Sequence, residues 1–552
     1  MSKNLSYLAG RKGVAKTLFE ELGIAATESG TPSVEKMEAL RKEFLVGKAN
    51  VYGTATFYDF LKPENQGKKV YVCNGSACLC AGTQPALKYK LQKHFTEEEI
   101  GEMCCLGRCH ENSAFHIAGK NYSGKAINSI SEIKKNKTVV ADKYNIASKG
   151  TAVLTQKFAG LEANYQILKD CLKKSVAELQ TEIKTSGLRG RGGAGFPMAI
   201  KLESCRNTEA DQRFIVCNAD EGDPGAYSDR YLLEQQPHAV LLGMIIAGYL
   251  ADASVGVLYI RAEYPESIEV IEKAIRDLHK HKFIGENIFG SGFSFQFKVI
   301  KAQGAYICGE ETALLSSIEG QRPEVRVRPP YPAQQGLFNL PTVVNNVETL
   351  ANLPFIMKNE GKAFAAIGTP KSTGTKLISL DGYFNKPGIY EVDMGTPLSV
   401  VVNELGGGFR LPVKAMHIGG PLGGLVPVSK INDLTIDFES FSKEGFLLGH
   451  ASIVCIPEDF PLLLYIEHLF EFTAHESCGK CFPCRLGSTR GKEMLQKART
   501  TDYKIDRALM DDLLETLEIG SLCMLGGGLP LPVKNALQHF EDELNPYFIT
   551  KV

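Results

Sequence analysis

Tryptophan is missing from all 552 residues, an absence that excludes nothing. Other absences exclude more. There is no charge surplus: 62 basic against 63 acidic residues leave a formal net charge of −1, so no long-range field favours nucleic acid or an anionic membrane surface. No apolar run is long enough to cross a bilayer. The longest, residues 239–251, stops at Asp252, short of the roughly 18–20 residues a span needs. Residues 1–6 lack the apolar core of a secretion signal. The expectation is a cytoplasmic protein, peripheral at most to any membrane complex. Fifteen cysteines in a chain this long do not make a small disulfide scaffold, and clustered cysteines in a cytosolic setting point to metal.

What is present fits a multidomain soluble protein. Apolar residues make up 44% and charged residues 23%. At about 150 residues per domain the length predicts three or four domains. The centre of the chain is the stretch from Ser186 to Pro197, SGLRGRGGAGFP, with five glycines, one alanine and two arginines. Glycine at this density lets a ligand approach the backbone, and bare N–H groups opening into a helix cradle phosphate, with arginine adding a charged fork. Gly190, Gly192 and Gly195 match G-x-G-x-x-G, but a helical pattern at 176–183 precedes them instead of a strand, so this is no Rossmann fingerprint.

Downstream, strand and helix patterns alternate: an apolar run at 214–217 ending in Asn218-Ala219-Asp220-Glu221, a helix at 237–250, a strand at 256–260 and a helix at 266–279. That alternation predicts an α/β domain with a partly parallel sheet, with ligands at the strand C-termini. Residues 305–312, AYICGEET, read as another strand end meeting glycine and acids; Arg322, Arg326 and Arg328 with Tyr331 lie on a stiff proline-rich segment suited to phosphates and a flat ring. Residues 372–454 are β-rich with glycine turns, and the last segment is helical. The first 45 residues read helical, and residues 134–147 read as a polar, basic linker.

Eight cysteines form two sets. Cys73 and Cys78 are C-x4-C, Cys105 and Cys109 are C-x3-C, with 26 residues between the pairs. This suits a [2Fe–2S] cluster; zinc and ordinary thiols stay open, and Cys80 and Cys104 stand beside the candidate ligands. Cys478, Cys481 and Cys484 form C-x2-C-x2-C, and 38 residues separate Cys484 from Cys523. This spacing favours [4Fe–4S] over zinc. Cys171, Cys205, Cys217, Cys308 and Cys455 read as buried structural thiols.

Taken together, residues 187–197, 218–229, 306–312, 344–350 and 475–485 resemble the NADH-binding flavoprotein subunit of respiratory complex I and its soluble relatives, the diaphorase subunits of NAD-linked and electron-bifurcating hydrogenases, formate dehydrogenases and transhydrogenases. The first 145 residues resemble the thioredoxin-like [2Fe–2S] subunit of the same complexes, fused in front. The resemblance implies four domains: thioredoxin-like [2Fe–2S] (1–145), FMN/NADH-binding α/β (150–365), small β-rich of β-grasp, ubiquitin-like type (372–455) and a helical bundle carrying [4Fe–4S] (458–552). It implies FMN contacts from Gly190, Arg191, Gly192, Lys201, Asn218, Asp220, Tyr306, Gly309, Glu310, Glu311, Asn345, Asn346 and Thr349, and NADH contacts from Phe196, Asp223, Arg328 and Tyr331. Cys73, Cys78, Cys105 and Cys109 would hold [2Fe–2S]; Cys478, Cys481, Cys484 and Cys523 would hold [4Fe–4S]. Glu310 and Glu311 would tune the flavin. Ser204 stands where a second aromatic is common. The activity implied is hydride exchange between NAD(H) and FMN, with single electrons passing to the clusters and to partner redox subunits, ferredoxin among the candidates, in a soluble bifurcating or NAD-linked complex. A complex I-like subunit and a non-catalytic electron carrier are the alternatives. No two-cluster ferredoxin domain follows before Val552, so ferredoxin-side electrons are expected to pass through a partner chain.

Overall fold

The computed structural model describes residues 13–26, 30–135 and 143–549. Three sheets organise it. The first holds β1 (Val70–Cys73), β2 (Ile100–Met103), β3 (Ala114–Ile117) and β4 (Lys120–Ser123) in the order β2-β1-β3-β4. β1 and β2 are parallel and the other pairs antiparallel. Its core is Val70, Val72, Leu87, Leu91, Phe115 and Ile127.

The helices Leu18–Ala26 and Lys48–Ala55 do not join that core. Leu18, Phe19, Leu22, Val51 and Tyr58 pack among Phe214, Val216, Val257 and Tyr259 of a later sheet, and the Tyr58 hydroxyl bonds Ser317 Oγ at 2.8 Å. An amphipathic stripe predicts burial but not against which surface, so the sequence could not place them.

The stretch read as a linker is only partly one. Residues 136–142 lie outside the described residues, but β5 (Asn145–Lys149) follows as a strand. The second sheet is all parallel, β6 (Phe214–Ala219), β7 (Val255–Ile260), β8 (Gln296–Lys301) and β9 (Thr342–Asn346), ordered β8-β7-β6-β9. The apolar helix Pro237–Ala251 packs on one face, and its Gly243 has a reason: a Cβ there would lie 2.0 Å from the Leu350 carbonyl oxygen. Residues 306–309, expected as a strand end, instead form a short 3₁₀ turn between β8 and the helix Glu311–Ile318.

The third sheet takes β10 (Thr375–Leu380), β11 (Gly388–Asp393), β12 (Val413–Ile418), β13 (Gly424–Pro427) and β14 (Ser452–Pro457), ordered β13-β12-β14-β10-β11-β5. β5 pairs parallel to β11 at its edge. Helices Leu462–Glu476, Ser488–Thr500, Arg507–Gly520 and Pro530–His539 complete the chain. Among the described residues no helix is long and apolar enough to cross a membrane.

Candidate functional site

The glycine stretch is a closed loop between two helices. The helix Val176–Ser186 starts on a reciprocal Ser175–Glu178 capping box and ends at Gly187 with φ 64°. Gly190 N–H donates to the Phe196 carbonyl (2.9 Å) and Met198 N–H to that of Leu188 (3.0 Å), so the chain returns on itself before the helix Met198–Asn207. Gly193 (φ 121°) and Gly195 (φ 59°) take backbone angles that side chains resist. The loop rests on the end of β9: Arg191 N–H donates to Thr349 Oγ1 at 2.8 Å, and a Cβ on Gly192 would meet Asn346 Cβ at 2.9 Å.

Its arginines do not play the part the sequence suggests. The Arg191 side chain is wholly buried, and its guanidinium donates to the carbonyls of Arg189, Thr373 and Thr375. Burial lowers its pKa to about 10. Arg189 bonds the Gly195 and Lys371 carbonyls and Glu439. Both guanidinium groups are committed to the protein's own carbonyls and to Glu439.

The acids and amides expected at the site gather at the C-terminal ends of β6 and β9. Asn218 Nδ2 donates to the Gly309 carbonyl (2.8 Å), and Asn218 Oδ1 accepts from Asp220 N–H (3.2 Å). Asp220 Oδ2 and Asn345 Nδ2 are buried without any hydrogen-bond partner. Burial drives the Asp220 pKa well above the carboxylate range. Lys201 Nζ bridges Glu311 Oε2 (2.9 Å) and the Val344 carbonyl (3.0 Å). Glu310 caps the helix Glu311–Ile318, accepting from the N–H groups of Thr312 and Ala313. Arg328 lies 3.3 Å from Glu311 and 3.8 Å from Glu310. The Tyr306 hydroxyl donates to Asp223 Oδ1 at 2.6 Å, and its N–H donates to Glu476 Oε2 at 2.8 Å. Phe196 and Tyr331 stand 46% and 55% exposed, aromatic faces open to a ring.

The two cysteine sets flank this region. Cys73 ends β1, Cys78 lies in the helix Ser76–Cys80, and Cys105 and Cys109 follow β2. Cys105 and Cys109 sulfurs are 3.3 Å apart, and Cys73 interacts with both Cys78 and Cys105. Gly107 N–H and Gly225 N–H point to the Cys105 and Cys109 sulfurs at 3.5 and 3.2 Å. Cys80 turns away into the core of the C-terminal helices, whereas Cys104 Sγ stays beside Gly75, 3.5 Å from where its Cβ would sit.

In the second set, Ser477 Oγ lies 3.3 Å from Cys484 Sγ, and a Cβ on Gly526 would touch Cys484 Cβ at 2.7 Å. Cys523 caps the helix Met524–Gly528. Burial, with Glu310, Cys478 and Cys484 adding to it, pushes the Cys523 thiol up to about 12. The five remaining thiols, Cys171, Cys205, Cys217, Cys308 and Cys455, are buried as expected.

Sequence reasoning missed the contribution of the third sheet. A Cβ on Gly420 would lie 2.5 Å from the Asp223 carboxyl carbon, so the turn after β12 closes on the Asp223 segment. His450 is buried against Glu221 and Asp229. Both residues sit among glycine turns far along the chain, with no local pattern to mark them.

Three family models match this chain. Residues 183–355 match the Nuo51 FMN-binding domain, residues 465–547 the NADH-ubiquinone oxidoreductase-F iron-sulfur binding region, and residues 6–137 the thioredoxin-like [2Fe-2S] ferredoxin. NADP-reducing hydrogenase subunit HndC of Solidesulfovibrio fructosivorans is 43% identical over 384 residues, covering 69% of this chain and 78% of that protein. NAD-reducing hydrogenase HoxS subunit alpha of Cupriavidus necator is 33% identical over 525 residues, covering 89% and 85%. The mitochondrial NADH dehydrogenase [ubiquinone] flavoprotein 1 of Dictyostelium discoideum is 36% identical over 384 residues, covering 68% and 80%. A crystal structure of an air-oxidised NAD+-reducing [NiFe]-hydrogenase superposes with a TM-score of 0.86 at 27% identity, covering 98% of this chain and 95% of that one.

The residues present fit those groups. The unpartnered Asp220 carboxyl oxygen and Asn345 amide are a free acceptor and a free donor at strand ends, matched to a ring carrying both. The converging thiols, with N–H groups aimed at two of their sulfurs, fit thiolate ligation of iron–sulfur clusters.

Proposed function

The chain belongs to the family of FMN- and iron–sulfur-containing NAD(H) oxidoreductase subunits shared by NADH-ubiquinone oxidoreductases and NAD(P)-reducing hydrogenases, and from that premise we propose how its residues work and which assembly it serves. FMN, when bound, accepts both electrons of a hydride and releases them singly to iron–sulfur clusters. The protein supplies position, charge and exclusion of water.

The observation that carries the reading is the contact of flavin-site residues with both cysteine sets. The segment that begins at Asn218 ends at Gly225, whose N–H is on the Cys109 sulfur. On the other side, Tyr306 N–H donates to Glu476 Oε2 at 2.8 Å, two residues before Cys478. The site thus has an exit on each side. The N–H groups of residues 192–195 would hold the cofactor phosphate, and Lys201, Asn218, Asp220 and Asn345 its ring system and hydroxyls. Phe196 and Tyr331 would stack on the nucleotide.

We assign NADH over NADPH. Arg328, a cation that could meet a 2′-phosphate, is already paired with Glu310 and Glu311. We place the chain in a soluble hydrogenase-type complex, cytoplasmic and hetero-oligomeric. In support, likeness to the HoxS alpha subunit runs over most of the chain, including the fused N-terminal module. Two exits would permit bifurcation. Electrons would leave toward a partner at the apolar rim of Phe482, Ile519, Leu522 and Met524 around Cys523, all exposed.

The test is EPR on anaerobically purified protein reconstituted with FMN, iron and sulfide, reduced with dithionite, NADH or NADPH, with iron and zinc counted. Two cluster signals, one raised by NADH, are expected. Zinc in either set, or reduction by NADPH alone, would overturn the corresponding assignment.

A further inference from the structure

His450 is presented inward by a contorted loop. It stands between Gly449 (φ 54°) and Ala451 (φ 64°), the latter a non-glycine residue in the left-handed region. A Cβ on Gly449 would be 2.4 Å from the Gly419 carbonyl oxygen, so the loop is also pressed against its neighbour. Backbone of this kind persists where the surroundings enforce it. The result is a buried imidazole with Nε2 3.5 Å from Glu221 Oε1 and 3.6 Å from Asp229 Oδ2.

From Asp229 a relay of hydrogen bonds runs to the glycine loop. Asn346 Nδ2 donates to the Asp229 carboxylate (3.1 Å), Asn346 Oδ1 accepts from Thr349 N–H (2.9 Å), and Thr349 Oγ1 accepts from Arg191 N–H (2.8 Å). From Glu221 a second arm reaches the first cysteine set. Its carboxylate accepts from the N–H groups of Asp229 and Arg230 and from the Tyr264 hydroxyl. Its carbonyl takes one arm of Arg261, whose other arm donates to the Cys105 carbonyl at 2.8 Å.

We propose that His450 is a positioning residue for flavin chemistry: its imidazolium, held between Glu221 and Asp229, neutralises one of two buried carboxylates and so keeps the glycine loop in its cofactor-binding geometry. This rests on the functional reading above. The charged groups around His450 are Glu221, Asp229 and Asp223 from the segment after β6, and Lys376 from β10, itself paired with Glu348. Burial opposes the imidazolium, but Asp229 and Glu221 outweigh it and raise the His450 pKa to about 9. The cation is therefore present below that pH and lost as pH rises through it. Burial and Asp229 raise Glu221 to about 7 even with His450 opposing them. Without the imidazolium, one carboxyl would take up a proton near neutrality instead.

The experiment measures FMN affinity by fluorescence quenching on flavin-stripped, cluster-loaded full-length protein at pH 6, 7 and 8, with NADH:ferricyanide activity in parallel. Wild type, which keeps its imidazolium throughout this range, is expected to lose less affinity between pH 6 and pH 8 than His450→Gln. His450→Gln is expected to bind at least about tenfold more weakly at pH 8 and to recover toward wild type at pH 6, where a proton replaces the missing charge. The double variant Asp229→Asn/His450→Gln, whose amide pair restores the balance, is expected to regain affinity at pH 8. It also serves if the single variant fails to fold. His450→Gln binding FMN like wild type at every pH would overturn the inference, as would weakening that neither pH nor the double variant relieves. Wild-type protein that binds no FMN would overturn the functional reading, and this inference with it.

Discussion

Gly225 donates its backbone N–H to the sulfur of Cys109 across 3.2 Å, joining residues 116 positions apart. Gly225 holds φ 102°, and a Cβ there would lie 2.6 Å from Val454 Cγ2. Gly225→Ala is therefore strained by about 1–3 kcal/mol. The expected outcome is lower [2Fe–2S] content and a shifted midpoint potential for that cluster, with the [4Fe–4S] signal unchanged. EPR-monitored redox titration reads both, and equal loss at the two clusters would refute a local role.

Glu311 faces two cations, Lys201 and Arg328. Glu311→Gln leaves Lys201 without its carboxylate and Arg328 with Glu310 alone, and makes the flavin surroundings more positive. The bound flavin should then be easier to reduce, its midpoint potential rising by tens of millivolts. An unchanged potential in spectroelectrochemical titration would dismiss Glu311 as a tuner.

His417 is buried and His468 half-buried, both as neutral rings, and loss of solvent lowers each pKa from 6.5 to about 4. His417 bonds the Tyr465 hydroxyl (2.7 Å) and the Gly423 carbonyl, and His468 bonds Ser76 Oγ (3.1 Å). Between pH 6.5 and 4 the unfolded chain takes up protons that the fold refuses. Stability present above pH 6.5 is thus lost as pH falls toward 4, by about 3 kcal/mol per histidine. Urea unfolding at stepped pH should show this slope, and His468→Gln should make it shallower.

Lys376 on β10 and Glu348 at the end of the parallel sheet form an ion pair with no solvent exposure, and Glu348 also accepts from Leu377 N–H. Lys376→Ala leaves a buried carboxylate alone and should cost about 3–5 kcal/mol. Lys376→Met/Glu348→Leu should cost far less, because no charge is stranded. Thermal melts of the three proteins decide it.

Much of the site was legible because its chemistry depends on local spacing. Cys478, Cys481 and Cys484 announce themselves, as do the glycine loop and the Asn218–Asp220 strand end. The alternation that predicted a parallel sheet needed only periodicity, and β6 and β7 fall where it put them. What was hidden lies in long-range pairing. Nothing near Arg191 says its guanidinium will satisfy carbonyls of Thr373 and Thr375. Nothing near Leu18 names Val216 as its neighbour, and His450 gains its meaning only from acids more than 200 positions earlier.

The edge strand β5 bears on how such a chain is made. Its partner β11 ends at Asp393, about 240 residues after Lys149. At roughly 5–20 residues per second, a ribosome needs on the order of ten seconds or more to deliver it. Throughout that interval the five exposed, unpaired residues of Asn145–Lys149 wait in solution as a half-made ladder. Final closure of the third sheet is then a late event: synthesis halted before residue 393 would leave β5 without its partner, although Leu18 and Cys109 would already have Val216 and Gly225 to hold.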